Sequence, residues 1–311
     1  MSRVVIAGAG ALGRALATKL AIAHDVRAVR QSGELPAPSE RLTWYQADLT
    51  TIPGAELALT GAHTVVLLAQ ARRVPARLAR ASLDDLDRLL ADSVARAALL
   101  VGVKHLVVYA CGDDDARLAL LEKSGVPLSV LRGGAPDPVE LLAAMVGSAP
   151  GAHSTTPAWG GTSAEVRPPS IPTCSVQRYP RPPGWSALDI VRGYFRWLPT
   201  GVPLVKTTEH EGVFTITMAG VRALVLRLEP GRSSADSAWL TVADGALAGR
   251  STDDARFEFR VLLDGVTAMV AQIGFHPSLP WPVYRFSQAL VHERVMRRFG
   301  EWLAQQKGPP P

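Results

Sequence analysis

From its first residues the chain alternates short apolar runs with stretches whose apolar positions recur at helical spacing. Arg3–Ala7 has strand length, and 11–23 reads as a helix behind it. Further runs at Asp25–Val29, Leu42–Gln46, Thr64–Leu68, Lys104–Tyr109 and Leu128–Leu131 also read as strands. Between them lie a long helix over 83–101, with Leu86, Leu89, Leu90, Val94 and Ala97 on one face, and a shorter one over 114–124. Strands this apolar, separated by helices, predict a parallel sheet covered on both faces. The connection from Arg30 to Arg41 carries two prolines and a glycine, so the helix usual there is expected to be short or missing.

From Gly147 to Gly184 the chain is rich in Pro, Gly, Ser and Thr and reads as a surface linker. Beyond it the period changes to two. Phe214, Ile216 and Met218 alternate with threonines, and Phe257, Phe259 and Val261 alternate with Glu258 and Arg260. Asp264-Gly265 predicts a two-residue hairpin into a strand over 267–275. A terminal helix over 283–305 carries Phe286, Leu290, Val295, Phe299 and Leu303 at helical spacing. The expected division is 1–146, a linker over 147–184, and 185–308. The expected fold class is an α/β parallel sheet followed by an α+β domain with an antiparallel sheet and a long C-terminal helix.

Composition narrows the functional classes. The formal net charge is +5, but the basic residues are mostly scattered arginines, often beside Asp or Glu, without interleaved aromatics. Nucleic acid is therefore not the expected partner. No window holds the ~18 apolar residues of a membrane span. The apolar run Val4–Ala7 is too short for an export signal, so a cytoplasmic location is expected. Cys111 and Cys174 lack metal or disulfide-framework spacing, and His292-Glu293 lacks a second histidine, so no metal is expected.

The sequence Gly8-Ala9-Gly10-Ala11-Leu12-Gly13 lies between a buried strand and a helix, where a GxGxxG dinucleotide fingerprint belongs. Gly8 permits the tight turn, Gly10 a close approach of pyrophosphate, and Gly13 close packing of helix on strand. This is the signature of a Rossmann domain, the alternative being a purely structural glycine turn. A site selective for NAD(H) places an acid at the end of strand two. Here the residues are Val29-Arg30-Gln31-Ser32. Arg30, with Ser32 assisting, suits a 2′-phosphate, which predicts NADP(H) in preference to NAD(H). The other reading of Arg30 is a solvated loop arginine.

With these motifs the chain resembles the short-chain dehydrogenase/reductase superfamily, in its atypical, NmrA-like and extended-epimerase branches, over residues 1–135. Asp48-Leu49 looks like the acid–hydrophobe pair that contacts adenine, and Leu68-Ala69-Gln70-Ala71 resembles the small-residue turn beneath the cofactor. Leu121–Arg132 is similar to the L-x-x-SG-x-x-x-(T/S)-x-LR segment of the NmrA-like branch. The resemblance implies a Ser or Thr after strand five and a Tyr-x-x-x-Lys pair, yet no tyrosine here has a lysine four residues on. Cys111 stands near the serine's place and Asp113 is a candidate acid/base; equally, Cys111 is a buried small residue and Asp113 a helix cap. More loosely, the second half resembles helix-grip (START-like) folds, which implies a curved sheet around a terminal helix and an apolar cavity. The segment 273–282 reads either as a cavity rim or as a packed corner, and His276 and His292 as structural.

Two functions follow as expectations. One is an NADP(H)-dependent oxidoreductase or epimerase acting on a small or lipophilic metabolite with a non-standard proton donor. The other is a non-catalytic NADP(H)-binding sensor or regulator.

Overall fold

The computed structural model describes residues 3–31, 33–69, 77–80, 82–110, 115–132, 137–148, 153–154, 173–248, 255–275 and 288–308. The chain divides into two compact units, Met1–Val74 with Leu86–Val166, and Pro75–Asp85 with Arg167–Pro311. The stretch expected as a linker over 147–184 therefore straddles that division. It also contains a strand, Thr173–Pro180.

The first unit is built on β1 (Arg3–Ala7), β2 (Asp25–Arg30), β3 (Leu42–Gln46), β4 (Thr64–Leu67), β6 (His105–Ala110), β7 (Leu128–Arg132) and the two-residue β8 (His153–Ser154). Its helices are α1 (Ala11–Leu20), α2 (Ile52–Leu59), α3 (Leu83–Leu100), α4 (Leu118–Lys123) and α5 (Pro138–Val146). Every pairing is parallel and the order is β3-β2-β1-β4-β6-β7-β8. That is a Rossmann order, with its reversal between β1 and β4. Along β1, Val4 and Ile6 share a core cluster with Leu16 and Leu20 of α1 and Leu142 and Met145 of α5. Val5 and Ala7 point the other way and are equally buried, so both faces of the sheet are covered. The predicted face of α3 is buried at all five positions. No helix joins β2 to β3 among the described residues.

The second unit contains β5 (Arg77–Arg80), β9 (Thr173–Pro180), β10 (Val205–His210), β11 (Val213–Met218), β12 (Val221–Leu228), β13 (Ser237–Asp244), β14 (Arg256–Val261) and β15 (Thr267–Phe275). The sheet runs β10-β11-β12-β13-β14-β15-β9-β5; it is antiparallel except for β5, which lies parallel to β9. Two helices, α6 (Ala187–Gly201) and α7 (Gln288–Leu303), share one core with this sheet. α6 escaped the sequence reading. It starts at a capping box in which the Ser186 hydroxyl accepts from the Asp189 amide and the Asp189 carboxylate accepts from the Ser186 amide.

Between sheet and helices the described side chains pack ring on ring, where the helix-grip resemblance implied a cavity. Tyr194 has Phe195, Phe259 and Phe299 at 5.4, 5.8 and 5.1 Å between ring centroids. One local expectation is corrected. Thr267 and Leu262 bracket a four-residue loop, not a two-residue hairpin, because the Asp264 carboxylate accepts from the amides of Val266 and Thr267 and stabilises the wider turn. The charged residues of β14 are Arg256, Glu258 and Arg260. All three are buried, with Glu258 accepting from Arg260 Nε (2.8 Å) and the Ser237 hydroxyl (3.1 Å), and Arg256 lying 4.6 Å over the Trp239 ring. Of the expected terminal helix 283–287 lies outside the described residues, as do His276 and the rest of 276–282 in the segment read as a rim or corner.

Two consequences are measurable in urea unfolding followed through Trp185, Trp197 and Trp302. A helical Gly→Ala change ordinarily gains about 1 kcal/mol. At Gly193 the new Cβ would stand 2.6 Å from the buried Trp185 ring, and such overpacking costs about 1–3 kcal/mol. Gly193→Ala therefore lowers the urea midpoint; a raised midpoint would mean the ring yields freely. The second concerns His292, whose Nε2 is enclosed without a hydrogen-bond partner and whose imidazole burial pushes down to about 4. Below the ordinary value of 6.5 the unfolded chain takes up a proton that the folded one refuses. Stability is therefore lost as pH falls from 6.5 toward 4, at most by about 1.4 kcal/mol per pH unit. His292→Leu makes that fall shallower, and an unchanged slope would contradict the assignment.

Candidate functional site

The carboxyl ends of β1, β2, β4 and β6 lie along one edge of the parallel sheet, and the glycine turn occupies its centre. Gly8 sits at φ +111°, where a side chain is strained. A Cβ there would come 2.6 Å from Cα of Ala69 and closer still to its nitrogen. The turn is therefore pressed onto the backbone that follows β4. The Ala7 carbonyl accepts from the amides of Leu68 and Ala69, both at 2.8 Å, while the amides of Gly8 and Ala9 donate to Val29 at the end of β2. Gly13 completes the arrangement from inside α1, since its Cβ would lie 2.5 Å from the Gly8 carbonyl oxygen. Both glycines thus permit a close backbone packing that a side chain would block.

Gly10 caps α1 in an extended conformation without a side-chain acceptor, and the first turn contains no acid. Among the described residues nothing accepts from the amides of Ala11, Leu12 or Gly13. Ala11 is exposed and Leu12 half-buried. The amides of Ala11 and Leu12, at the positive end of a ten-residue helix, are therefore left without a protein acceptor among the described residues, beside a tightly packed glycine turn. Such a helix end suits a phosphate or pyrophosphate.

At the ends of β2 and β3 the structure brings three predicted or neighbouring groups together. Arg30 Nη1 donates to the Glu34 carbonyl at 2.8 Å in an exposed bond. Gln31, which the sequence reading passed over, donates from Nε2 to Asp48 Oδ1 at 3.2 Å. The same oxygen accepts from the amide and hydroxyl of Thr50, so Asp48 also shapes the turn into α2. The Leu49 side chain is core, 2% exposed. Ser32, Gln70, Cys111 and Asp113 lie outside the described residues.

Ala69 is held from a direction the sequence did not reveal. Arg117, 1% exposed, donates from Nη1 to the Ala69 carbonyl and from Nη2 to the Tyr109 carbonyl, each at 2.7 Å. Asp115 pairs with the same guanidinium through both oxygens, at 2.9 and 2.6 Å. In sequence Arg117 follows a run of aspartates and looks like a solvated helix start; its reach across two strands is visible only in three dimensions.

No family model matches the chain. It is similar to auxiliary protein GraX of Staphylococcus aureus (strain NCTC 8325 / PS 47), with 24% identity over 269 residues, covering 83% of this chain and 78% of that one. Among solved structures it is similar to a Rossmann-fold NAD(P)-binding family protein from Shigella flexneri, with 18% identity over 51% of this chain and all of the other, at a TM-score of 0.37. The Bordetella bronchiseptica enzyme WbmG, solved in complex with NAD, gives 23% identity, 42% and 52% coverage and a TM-score of 0.35. A nucleoside-diphosphate-sugar epimerase from Staphylococcus aureus gives 17%, 42%, 50% and 0.34. These structural neighbours are NAD(P)-binding Rossmann proteins and epimerases, each alike over about half of this chain or less.

Proposed function

We propose that the first unit binds NADP(H). The observation that carries this reading is the turn itself: close packing at Gly8 and Gly13, set beside the open amides of Ala11 and Leu12. The residues fit a dinucleotide. Gly8–Gly13 would hold the pyrophosphate, Asp48 the adenine side, and Ala69 and Gln70 the floor of the crevice, while Leu49, expected beside the adenine, is buried in the core instead.

Selectivity for the 2′-phosphate rests on Arg30. Its present bond is to a neutral carbonyl at the surface, worth about 1 kcal/mol. A phosphate offers the guanidinium fork two anionic acceptors in place of one neutral one, so the exchange favours the phosphate. No acid stands at that point to bond a free 2′-hydroxyl instead. The dinucleotide, when bound, supplies hydride transfer. The chain's own part is to hold and orient it at the sheet edge for an oxidoreductase or epimerase reaction on a small or lipophilic metabolite, with Cys111 and Asp113 as candidate proton-handling groups.

A second reading is a non-catalytic NADP(H) sensor. The absent Tyr-x-x-x-Lys pair favours it, as does the description of the GraX relative as an auxiliary protein.

Calorimetric titration with NADPH and NADH tests the binding claim. The expected result is NADPH tighter by about tenfold or more, with the preference lost in Arg30→Ala. Equal affinities would remove Arg30 from the site, and no binding of either would overturn the reading. NADPH oxidation across a panel of carbonyl substrates separates enzyme from sensor.

A further inference from the structure

We propose that Arg117 is a positioning residue for the nicotinamide half of the bound dinucleotide, acting through the backbone carbonyls of Ala69 and Tyr109. The inference rests on the dinucleotide reading above and assigns that site a part which no sequence motif marks.

The argument begins where the sheet ladder stops. The last paired residues of β4 and β6 are Leu67 and Val108. Past them one guanidinium joins two further carbonyls at this edge: Ala69, two residues beyond, through Nη1 and Tyr109, one residue beyond, through Nη2, both at 2.7 Å. Arg117 thus extends the coupling of the two strands beyond the end of their own hydrogen bonding. Only a planar fork of donors reaches two carbonyls at once while a carboxylate holds its other edge. Asp115 supplies that carboxylate, and its side chain is only 7% exposed. Burying such a pair brings little stability compared with apolar packing of the same volume, so its value lies in the geometry that it fixes.

What it fixes is Ala69. This residue lies against Gly8, so closely that a Cβ on the glycine would be 2.6 Å from Cα of Ala69. Ala69 is therefore blocked from moving toward the turn, and a shift away from it moves the floor beyond. A dinucleotide crosses the sheet where the strand order reverses, here between β1 and β4. Its adenine half lies toward Arg30, Gln31 and Asp48, and its other half toward β4 and β6. With strands about 4.8 Å apart, Arg117 stands roughly 12 Å from the end of β2. Its influence is thus confined to the far half of the ligand.

This separation makes a test that general destabilisation does not mimic. Two ligands are titrated by calorimetry: NADPH, which spans both halves, and adenosine 2′,5′-bisphosphate, which carries only the adenine end. Arg117→Lys keeps the charge and loses the fork. A double variant, Arg117→Met with Asp115→Asn, removes both charges and leaves neither one buried alone. In each, NADPH is expected to weaken about tenfold while the bisphosphate binds as it does to the wild type. Unchanged NADPH affinity would overturn the proposal. So would an equal loss for both ligands, which would make Arg117 a support of the fold alone. If the wild-type protein binds the bisphosphate but not NADPH, the far half has no site for Arg117 to position. If it binds neither, the dinucleotide reading falls and this inference with it.

Discussion

The carbonyl of Gly8 faces a helix that has no side chain at Gly13, and the Cα of Gly8 faces a strand end that leaves no space for one of its own. On those two close approaches the first unit depends. They bring the start of α1 down onto the edge of the sheet, between β2 through the Val29 carbonyl and β4 through Ala69. An alanine at either position forces backbone atoms apart, and backbone yields less readily than a side chain. The same constraint suits the proposed role of the helix end: its position is fixed by packing on the other side, so a ligand there would not have to order it.

Around that point the chain uses charge in two ways. At the adenine end the groups are half-exposed and adaptable, with Arg30 on a loop carbonyl and Gln31 on Asp48. Toward β4 and β6 the guanidinium is buried and committed, bonded to two carbonyls and a carboxylate. An exposed arginine can exchange partners at little cost, whereas a buried one fixes what it touches. The two arginines therefore suit different tasks, recognition at one end and alignment at the other.

Legibility in the sequence followed how local each feature is. β1, the glycine turn and α1 could be read because strand, turn and helix are contiguous and the glycine spacing is fixed by geometry within six residues. β11 and β14 are visible from period-two alternation, although β14 is buried on both faces, its charged residues included. β9 was hidden among prolines. Its Ser175 and Val176 are both buried, so polarity does not alternate with burial. β5 is four residues long and offers no pattern. The stripe of α6, Ile190, Val191, Tyr194, Phe195 and Leu198, was readable, and so was its Ser186–Asp189 capping box. Arg117 and Gln31 were beyond sequence reasoning, because their partners are 48 and 17 residues away.

The central claim, that the open end of α1 receives the pyrophosphate, is met most directly by following backbone amide resonances while NADPH is added. The account predicts that the largest changes fall on the amides of Ala11, Leu12 and Gly13, with smaller ones at Gln31 and Ala69. Changes confined to other parts of the chain, or none at saturating ligand, would contradict it.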